Sequence, residues 1–151
     1  MKFYIATDHA GFALKEFTKE ILHSLGHEVV DLGPYNNSRV DYPDFAKKCA
    51  NAVASDEGSF GILICGTGIG ISISANKVAG IRAALCHDAY TASMCRAHND
   101  ANILAFGERV VGKGVVESMI KAFCDTPFEG GRHANRVNKI EDEVCSLGAD
   151  L

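Results

Sequence analysis

Short apolar runs alternate with amphipathic segments along most of the chain. Continuous apolar runs predict buried strands, and apolar residues that recur every three or four positions predict helices. The predicted strands cover residues 3–7, 28–32, 60–65, 81–86 and 102–106. The predicted helices cover about residues 14–25, 43–53, 69–77, 88–97, 115–123 and 137–147.

This alternation predicts an α/β fold with a five-stranded parallel sheet that carries helices on both faces. The 151 residues suit one domain, spanning 1–151. Gly26 is placed to end the first helix, and Pro43 suits the first turn of the second. The last helix lies beyond the alternating unit, so we expect it either to pack on the domain or to reach a partner subunit.

Composition and charge exclude several classes of protein. The net charge of −4 argues against nucleic-acid binding, which needs a basic face. No apolar run is long enough to cross a membrane, and the first residues turn polar too soon for a signal peptide. Six cysteines are present and none forms a C-x-x-C pair, which argues against a zinc site or a redox pair. We therefore expect a cytoplasmic protein with reduced thiols and no bound metal.

Polar residues follow three of the predicted strands, at 7–9, 65–67 and 86–88. In parallel sheets, ligands bind beyond the carboxyl ends of the strands. The sequence therefore predicts that the functional site lies at this edge of the sheet.

A glycine-rich turn follows the third strand, with glycines at 66, 68 and 70. The spacing G-x-G-x-G differs from the dinucleotide fingerprint, and Ile71-Ser72 replaces the Lys-Ser/Thr of a P-loop. Backbone N–H groups in such a turn suit an anion hole, either for a phosphate or for the oxyanion of a reacting carbonyl. The alternative is a turn that only permits close packing of helix and strand, and the spacing alone supports both.

Cys65 lies where the third strand ends and the following helix begins. A helix start favours the thiolate, which makes a cysteine usable as a base or a nucleophile. The alternative is a buried, inert thiol, which is the commoner case. The adjoining turn favours a chemical role, and Thr67 could add a hydroxyl donor beside it.

Two further polar groups are candidates for proton transfer or sugar binding. Asp8 and His9 follow the first strand, although capping of the next helix would be sufficient reason for Asp8. His98 and Asn99 lie in the loop before the fifth strand. Histidine titrates near neutral pH and suits a proton shuttle, but a lone histidine in a loop is often only a surface residue.

The main basic cluster contains Arg132 and Arg136, which share a face of a helix because they are four residues apart. At a helix start they would combine fixed charge with free N–H groups and could hold a phosphate. Acidic residues at 141–143 allow the alternative of a solvated, salt-bridged face. Arg109, after the fifth strand, is a further phosphate candidate.

Taken together, the motifs resemble the family of ribose-5-phosphate isomerase B, which also includes galactose-6-phosphate isomerase. Matching segments occur in order along nearly the whole chain. They cover residues 8–12, 41–44, 64–72, 75–77, 80–83, 98–102, 106–112 and 129–133.

The resemblance implies a Rossmann-like three-layer domain without a dinucleotide or any other cofactor. It also implies a homodimer or tetramer whose active sites lie between subunits. The family interconverts ribose 5-phosphate and ribulose 5-phosphate, a step of the pentose phosphate pathway, without a metal. Alternatives are an isomerase of allose 6-phosphate or galactose 6-phosphate, and a phosphosugar-binding module without catalysis.

The resemblance also implies roles for individual residues. Cys65 corresponds to the base of the cysteine-bearing branch, because Ala75 and Asn76 occupy the stretch where another branch has glutamate. His98 would donate a proton or assist ring opening, and Asp8 would bind the sugar and share in ring opening. The remaining sugar contacts would come from Gly66, Thr67, Gly68, Ile69, Gly70 and Asn99. The phosphate contacts would come from His9, Arg109, Arg132, His133 and Arg136.

Overall fold

The computed structural model describes residues 1–149, with side chains through residue 141. The strands are β1 (Lys2–Thr7), β2 (Glu28–Asp31), β3 (Phe60–Cys65), β4 (Ala83–Leu85) and β5 (Ile103–Gly107). All five pair in parallel, in the order β2-β1-β3-β5-β4, which confirms the predicted sheet. The helices are α1 (Phe12–Ser24), α2 (Tyr42–Ala54), α3 (Ile69–Ala75), α4 (Ala89–Ala97), α5 (Lys113–Asp125) and α6 (Arg132–Ala149).

Two apolar layers enclose the sheet. In β1, Phe3 and Ile5 face the layer formed with α1, α4 and α5, and Ala6 faces the layer formed with α2 and α3. This alternation follows from the period of two in a strand. The result is the predicted three-layer α/β arrangement.

The strand order reverses direction at β1, since the chain goes first to β2 on one side and then to β3 on the other. Thr7 at the end of β1 is paired in register with Ile64 near the end of β3. In open parallel sheets, a crevice forms at such a reversal, beyond the carboxyl ends of the strands. The fold therefore places the crevice between Asp8 and the residues after Ile64.

The fourth strand is shorter than the sequence predicts, beginning at Ala83 rather than at residue 81. Two asparagine side chains explain this difference. The amide of Asn76 bonds to both the N–H and the C=O of Ala83, at 2.7 and 2.9 Å. The amide of Asn102 bonds to the N–H of Arg82 and the C=O of Gly80. Side chains thus take the place of strand bonds at the start of β4.

The last helix begins five residues before the predicted start, at Arg132 rather than 137. It contacts the domain through Arg82, whose Nη1 lies 2.6 Å from Oε1 of Glu141. The predicted apolar positions Val144 and Leu147, and Cys145, lie outside the described side chains. Over the part of the chain that is described, no helix is both long and apolar enough to span a bilayer.

Candidate active site

A cleft of about 490 Å³ lies in the crevice at the carboxyl edge of the sheet. It brings together most of the site residues predicted after the first, third and fifth strands. They are Asp8, His9, Cys65, Gly66, Thr67, Ile69, Gly70 and Arg109. Tyr42 and Ile73 also line this cleft, and the sequence analysis did not assign them to a site.

Cys65 is the last residue of β3 and is almost buried, with 4% of its surface exposed. Its Sγ accepts a hydrogen bond from the N–H of Gly68 at 3.1 Å. The strand fixes the backbone of the cysteine, and this bond fixes its sulfur against the turn. Cys65 therefore lines the cleft with its sulfur held as a hydrogen-bond acceptor.

Gly68 gives the turn its shape. Its φ of +79° is left-handed, and α3 begins at the next residue. A β-carbon at this position would lie 2.6 Å from Cδ1 of Leu85 and 2.7 Å from the carbonyl carbon of Phe106. Only glycine combines this backbone with this close approach. The N–H of Ile69 donates to Oγ1 of Thr67 at 3.2 Å, so the turn is braced by its own side chains.

Asp8 shapes the other wall of the cleft. Its Oδ1 accepts from the N–H groups of Ala10 and Gly11, at 2.9 and 3.1 Å. It does not cap α1, whose N-cap is Gly11 and makes no side-chain bond. Glu108, in the loop after β5, caps part of the first turn of α1, because its Oε1 accepts a hydrogen bond from the N–H of Leu14 at 2.6 Å. No local spacing in the sequence signals this long-range cap.

His9 and Arg109 bring donors to the same cleft. Nδ1 of His9 lies 3.2 Å from both the N–H and the carbonyl oxygen of Val40. In the tautomer in which Nδ1 accepts from the N–H, Nε2 carries the proton and can donate to an anion. The guanidinium of Arg109 lies over the turn, with Nη1 3.2 Å from the position of a β-carbon on Gly66. The N–H of Arg109 donates to the carbonyl of Gly66 at 3.1 Å, which docks this loop on the turn.

The other predicted site residues form a separate group at the opposite edge of the sheet. His98 is the C-cap of α4, which runs back from the carboxyl edge to the amino edge. The group also contains residues of the loop after α4 and of the start of α6. Its predicted members are His98, Asn99, Arg132, His133 and Arg136. In a single chain, the fold does not bring them to Cys65.

Within this group, the rings of His98 and His133 stack almost in parallel, with centroids 4.2 Å apart. Nε2 of His133 lies 3.3 Å from Oε2 of Glu129, whose N–H donates to the carbonyl of Ala97. Burial lowers the pKa of His133, and the nearby His98 and Arg132 add to this shift. These surroundings therefore favour the neutral form of the His133 ring.

Potential ligand atoms of His98, Glu129 and His133 lie within 4.8 Å of one another. The spacing alone would permit a metal ion. The nitrogen lone pairs of stacked rings, however, lie in two nearly parallel planes and do not converge on one point. We therefore assign no metal to this group.

We expect the stability of the protein to fall below about pH 6.5, the ordinary pKa of histidine. The folded pKa of His133 is lowered, so the unfolded chain binds protons first. The neutral ring contributes its full stabilisation when the pH is above the pKa of His133 in the unfolded chain. This contribution is lost as the pH falls through the lower pKa of His133 in the folded protein. His133→Gln should reduce this loss, measured by urea unfolding at several pH values. His23 lies at an exposed position. If His23→Gln reduced the loss of stability at low pH by the same amount, this would contradict the assignment to His133.

Comparisons with known proteins identify relatives of this chain along almost its whole length. The sequence model of a family described as Ribose/Galactose Isomerase matches residues 3–140. Ribose-5-phosphate isomerase B of Escherichia coli is 49% identical over 139 residues, which cover 92% of this chain and 93% of that protein. The structure of ribose-5-phosphate isomerase B from Clostridium thermocellum has a TM-score of 0.95 at 52% identity, covering 97% of this chain and 99% of that one.

A third related structure contains a ligand. It is ribose-5-phosphate isomerase B from Mycoplasma genitalium with bound ribulose-5-phosphate, with a TM-score of 0.90 and 42% identity. It covers 94% of this chain and 95% of that one. Since the family match extends over nearly the whole described fold and the identities are high along full-length relatives, the chain belongs to the ribose/galactose isomerase family.

Proposed function

We propose that this protein is an aldose-ketose isomerase that interconverts ribose 5-phosphate and ribulose 5-phosphate in the pentose phosphate pathway. The observation that carries the proposal is the sulfur of Cys65, held by the N–H of Gly68 in a cleft lined by the glycine-rich turn. The names of the Escherichia coli and Clostridium thermocellum relatives and the ligand of the Mycoplasma genitalium structure support this substrate.

The reaction moves a proton between neighbouring carbons. We assign Cys65 as the base that removes the proton from C2 of the open-chain aldose. The electrons of that C–H bond form the C1–C2 double bond of an enediolate, and negative charge develops on the carbonyl oxygen. A proton passes from the C2 hydroxyl to the oxygen on C1, and the proton taken from C2 is delivered to C1, which gives the ketose with its carbonyl at C2. A base of suitable pKa contributes roughly 10²–10⁴-fold to such a step.

The developing oxyanion needs donors that are in place before the reaction. We assign this role to N–H groups of the turn from Gly66 to Gly70, with the hydroxyl of Thr67 beside them. Each donor of this kind is worth about 3–4 kcal/mol in comparable sites. Because α3 has only seven residues, the N–H groups of the turn matter more than the dipole of the helix.

Ring opening must come first, since the sugar is mostly cyclic. It needs an acid and a base at the ring oxygen and at the C1 hydroxyl. Asp8 and His98 are our candidates for this pair, and we assign Asn99 to a sugar hydroxyl. His9 and Arg109 reach the cleft from the same chain as Cys65. Arg132, His133 and Arg136 are assigned to the phosphate.

The separation of Cys65 and His98 supports a homodimer or tetramer with shared sites. The two edges of the sheet are separated by the length of a strand, about 17–20 Å for five or six residues. A pentose phosphate is too short to bridge that distance. A partner subunit could instead bring its His98 group to the cleft. The cleft has an apolar rim that suits such contact, since Tyr42, Ile69 and Ile73 are 41%, 51% and 57% exposed.

The proposed function also supports a cytoplasmic location, because the substrate is made and used there. The five cysteines with described side chains are free, which fits a reducing compartment.

We expect Arg136→Ala to raise KM for ribose 5-phosphate by about tenfold or more, because a charge-assisted bond to phosphate is lost. The effect on kcat should be smaller, since the phosphate is remote from the carbon that reacts. Steady-state kinetics of the purified variant test this. An unchanged KM would move the phosphate site elsewhere.

The proposed function is tested by incubating the purified protein with ribose 5-phosphate and with allose 6-phosphate, with and without a chelator. We expect higher kcat/KM for the pentose and no effect of the chelator. A preference for allose 6-phosphate would favour a six-carbon isomerase. Binding without turnover would favour a phosphosugar-binding module. The galactose enzyme is built from two different chains, so activity of this chain alone would argue against that alternative.

A further inference from the structure

The loop after α4 has an unusual backbone. Asp100 has φ of +46°, the only positive φ of a non-glycine residue over the described backbone. The left-handed conformation is unfavourable for most residues, although aspartate tolerates it better. Arg96 holds this shape, since its Nη1 donates to Oδ1 of Asp100 at 2.9 Å and to the carbonyl of Ala101 at 2.7 Å. The loop that carries His98 and Asn99 is thus held by specific contacts.

Arg82 holds the same loop from the other side. Its Nε donates to the carbonyl of Asn99 at 3.0 Å, and its Nη2 donates to the carbonyl of Asp100 at 2.8 Å. The Arg82 side chain is only 18% exposed; its bond to Asp100 is partly buried, and its bond to Asn99 lies at the surface. They act on the backbone of the two residues that directly follow His98.

The third nitrogen of the Arg82 guanidinium contacts α6. Nη1 lies 2.6 Å from Oε1 of Glu141, whose side chain is 31% exposed. Glu141 lies about 13 Å along the helix from Arg132, at 1.5 Å per residue. The planar guanidinium of Arg82 therefore connects the loop after His98 to α6, which carries the basic cluster. The stacked rings of His98 and His133 form a second contact between these two elements.

We propose that Arg82 is a positioning residue that sets the spacing between His98-Asn99 and the phosphate-binding start of α6. Its loop contacts orient His98, and its contact with Glu141 places Arg132, His133 and Arg136. The proposal rests on the proposed function for its kinetic consequences, but not for the geometry. A planar guanidinium with donors on three sides can make all of these contacts at once, and the single ammonium of lysine cannot.

The two sets of contacts predict different kinetic effects. Glu141→Ala breaks only the contact with the helix, so KM for ribose 5-phosphate should rise about fivefold to tenfold with kcat nearly unchanged. Arg82→Lys disturbs both sets, so kcat should fall and KM should rise. The matched control is Glu117→Ala, which removes an exposed helical ion pair with Lys121 and should change neither constant. Unchanged kinetics in both Glu141→Ala and Arg82→Lys would overturn the proposal.

A second readout does not depend on turnover. Stacked rings shift each other's proton NMR signals, so His98 and His133 report their own alignment. In Arg82→Lys we expect both imidazole signals to move toward those of a free histidine, and in Glu117→Ala we expect no movement. Unmoved signals in Arg82→Lys would overturn the proposal even if the kinetics changed. A wild-type protein without isomerase activity would refute the proposed function, while the NMR comparison would still decide the role of Arg82.

Discussion

Replacing Cys65 by alanine should lower kcat by about 10²–10⁴-fold, the usual contribution of a general base. The sulfur is the group we assign to take the C2 proton, and alanine has no atom that can do so. KM should change little, because the contacts assigned to the phosphate come from other residues. Steady-state kinetics and a direct binding measurement with ribulose 5-phosphate separate the two effects.

A second cysteine provides the control. Cys124→Ala removes a thiol from α5, where the side chain is partly buried against the core and away from the cleft. Its turnover should equal that of the wild type. If Cys65→Ala also kept near-wild-type turnover, Cys65 would not be the base.

Gly68→Ala should damage both the fold and the site. The left-handed φ of +79° and contacts of 2.6–2.7 Å at the β-carbon would both have to be accommodated. The expected loss in the free energy of unfolding is about 2–5 kcal/mol. The left-handed backbone contributes roughly 1–2 kcal/mol of this, and overpacking by the new β-carbon contributes roughly 1–3 kcal/mol. Urea unfolding measures this loss, and the folded fraction should isomerise ribose 5-phosphate more slowly because the N–H groups have moved.

Gly114→Ala is the matched substitution. Gly114 lies in α5, and a β-carbon there would meet nothing within 4 Å. Alanine should raise the free energy of unfolding by up to about 1 kcal/mol, because glycine is unfavourable in a helix. Equal effects of the two substitutions would show that the shape of the turn at Gly68 is not required.

The fold was largely predictable because strand and helix periods are local properties of the sequence. The exceptions have non-local causes. The fourth strand is shortened by the amides of Asn76 and Asn102, which bond to the backbone across the edge of the sheet. The start of α1 depends on Glu108, 94 residues away. No pattern of hydrophobic and polar residues records such contacts.

The candidate site was predictable in one half and not in the other. Asp8 and Cys65 meet because both follow strands of one parallel sheet, so order along the chain was sufficient. Only the resemblance joined His98 to them, and α4 carries His98 back to the opposite edge. The role of Tyr42 in lining the cleft depends on how α2 packs against α3, where its ring would lie 2.6 Å from a β-carbon on Gly70. Packing of this kind has no local signature.

We expect Cys65 of one subunit and His98 of another to act in one site, and mixing two inactive variants checks this. Cys65→Ala and His98→Gln, each with little activity alone, would be unfolded together and refolded in equal amounts. In a symmetric dimer, half of the molecules are then mixed, and each has one intact site. Activity should rise to about a quarter of wild type. Activity that stays at the level of the separate variants would contradict shared sites.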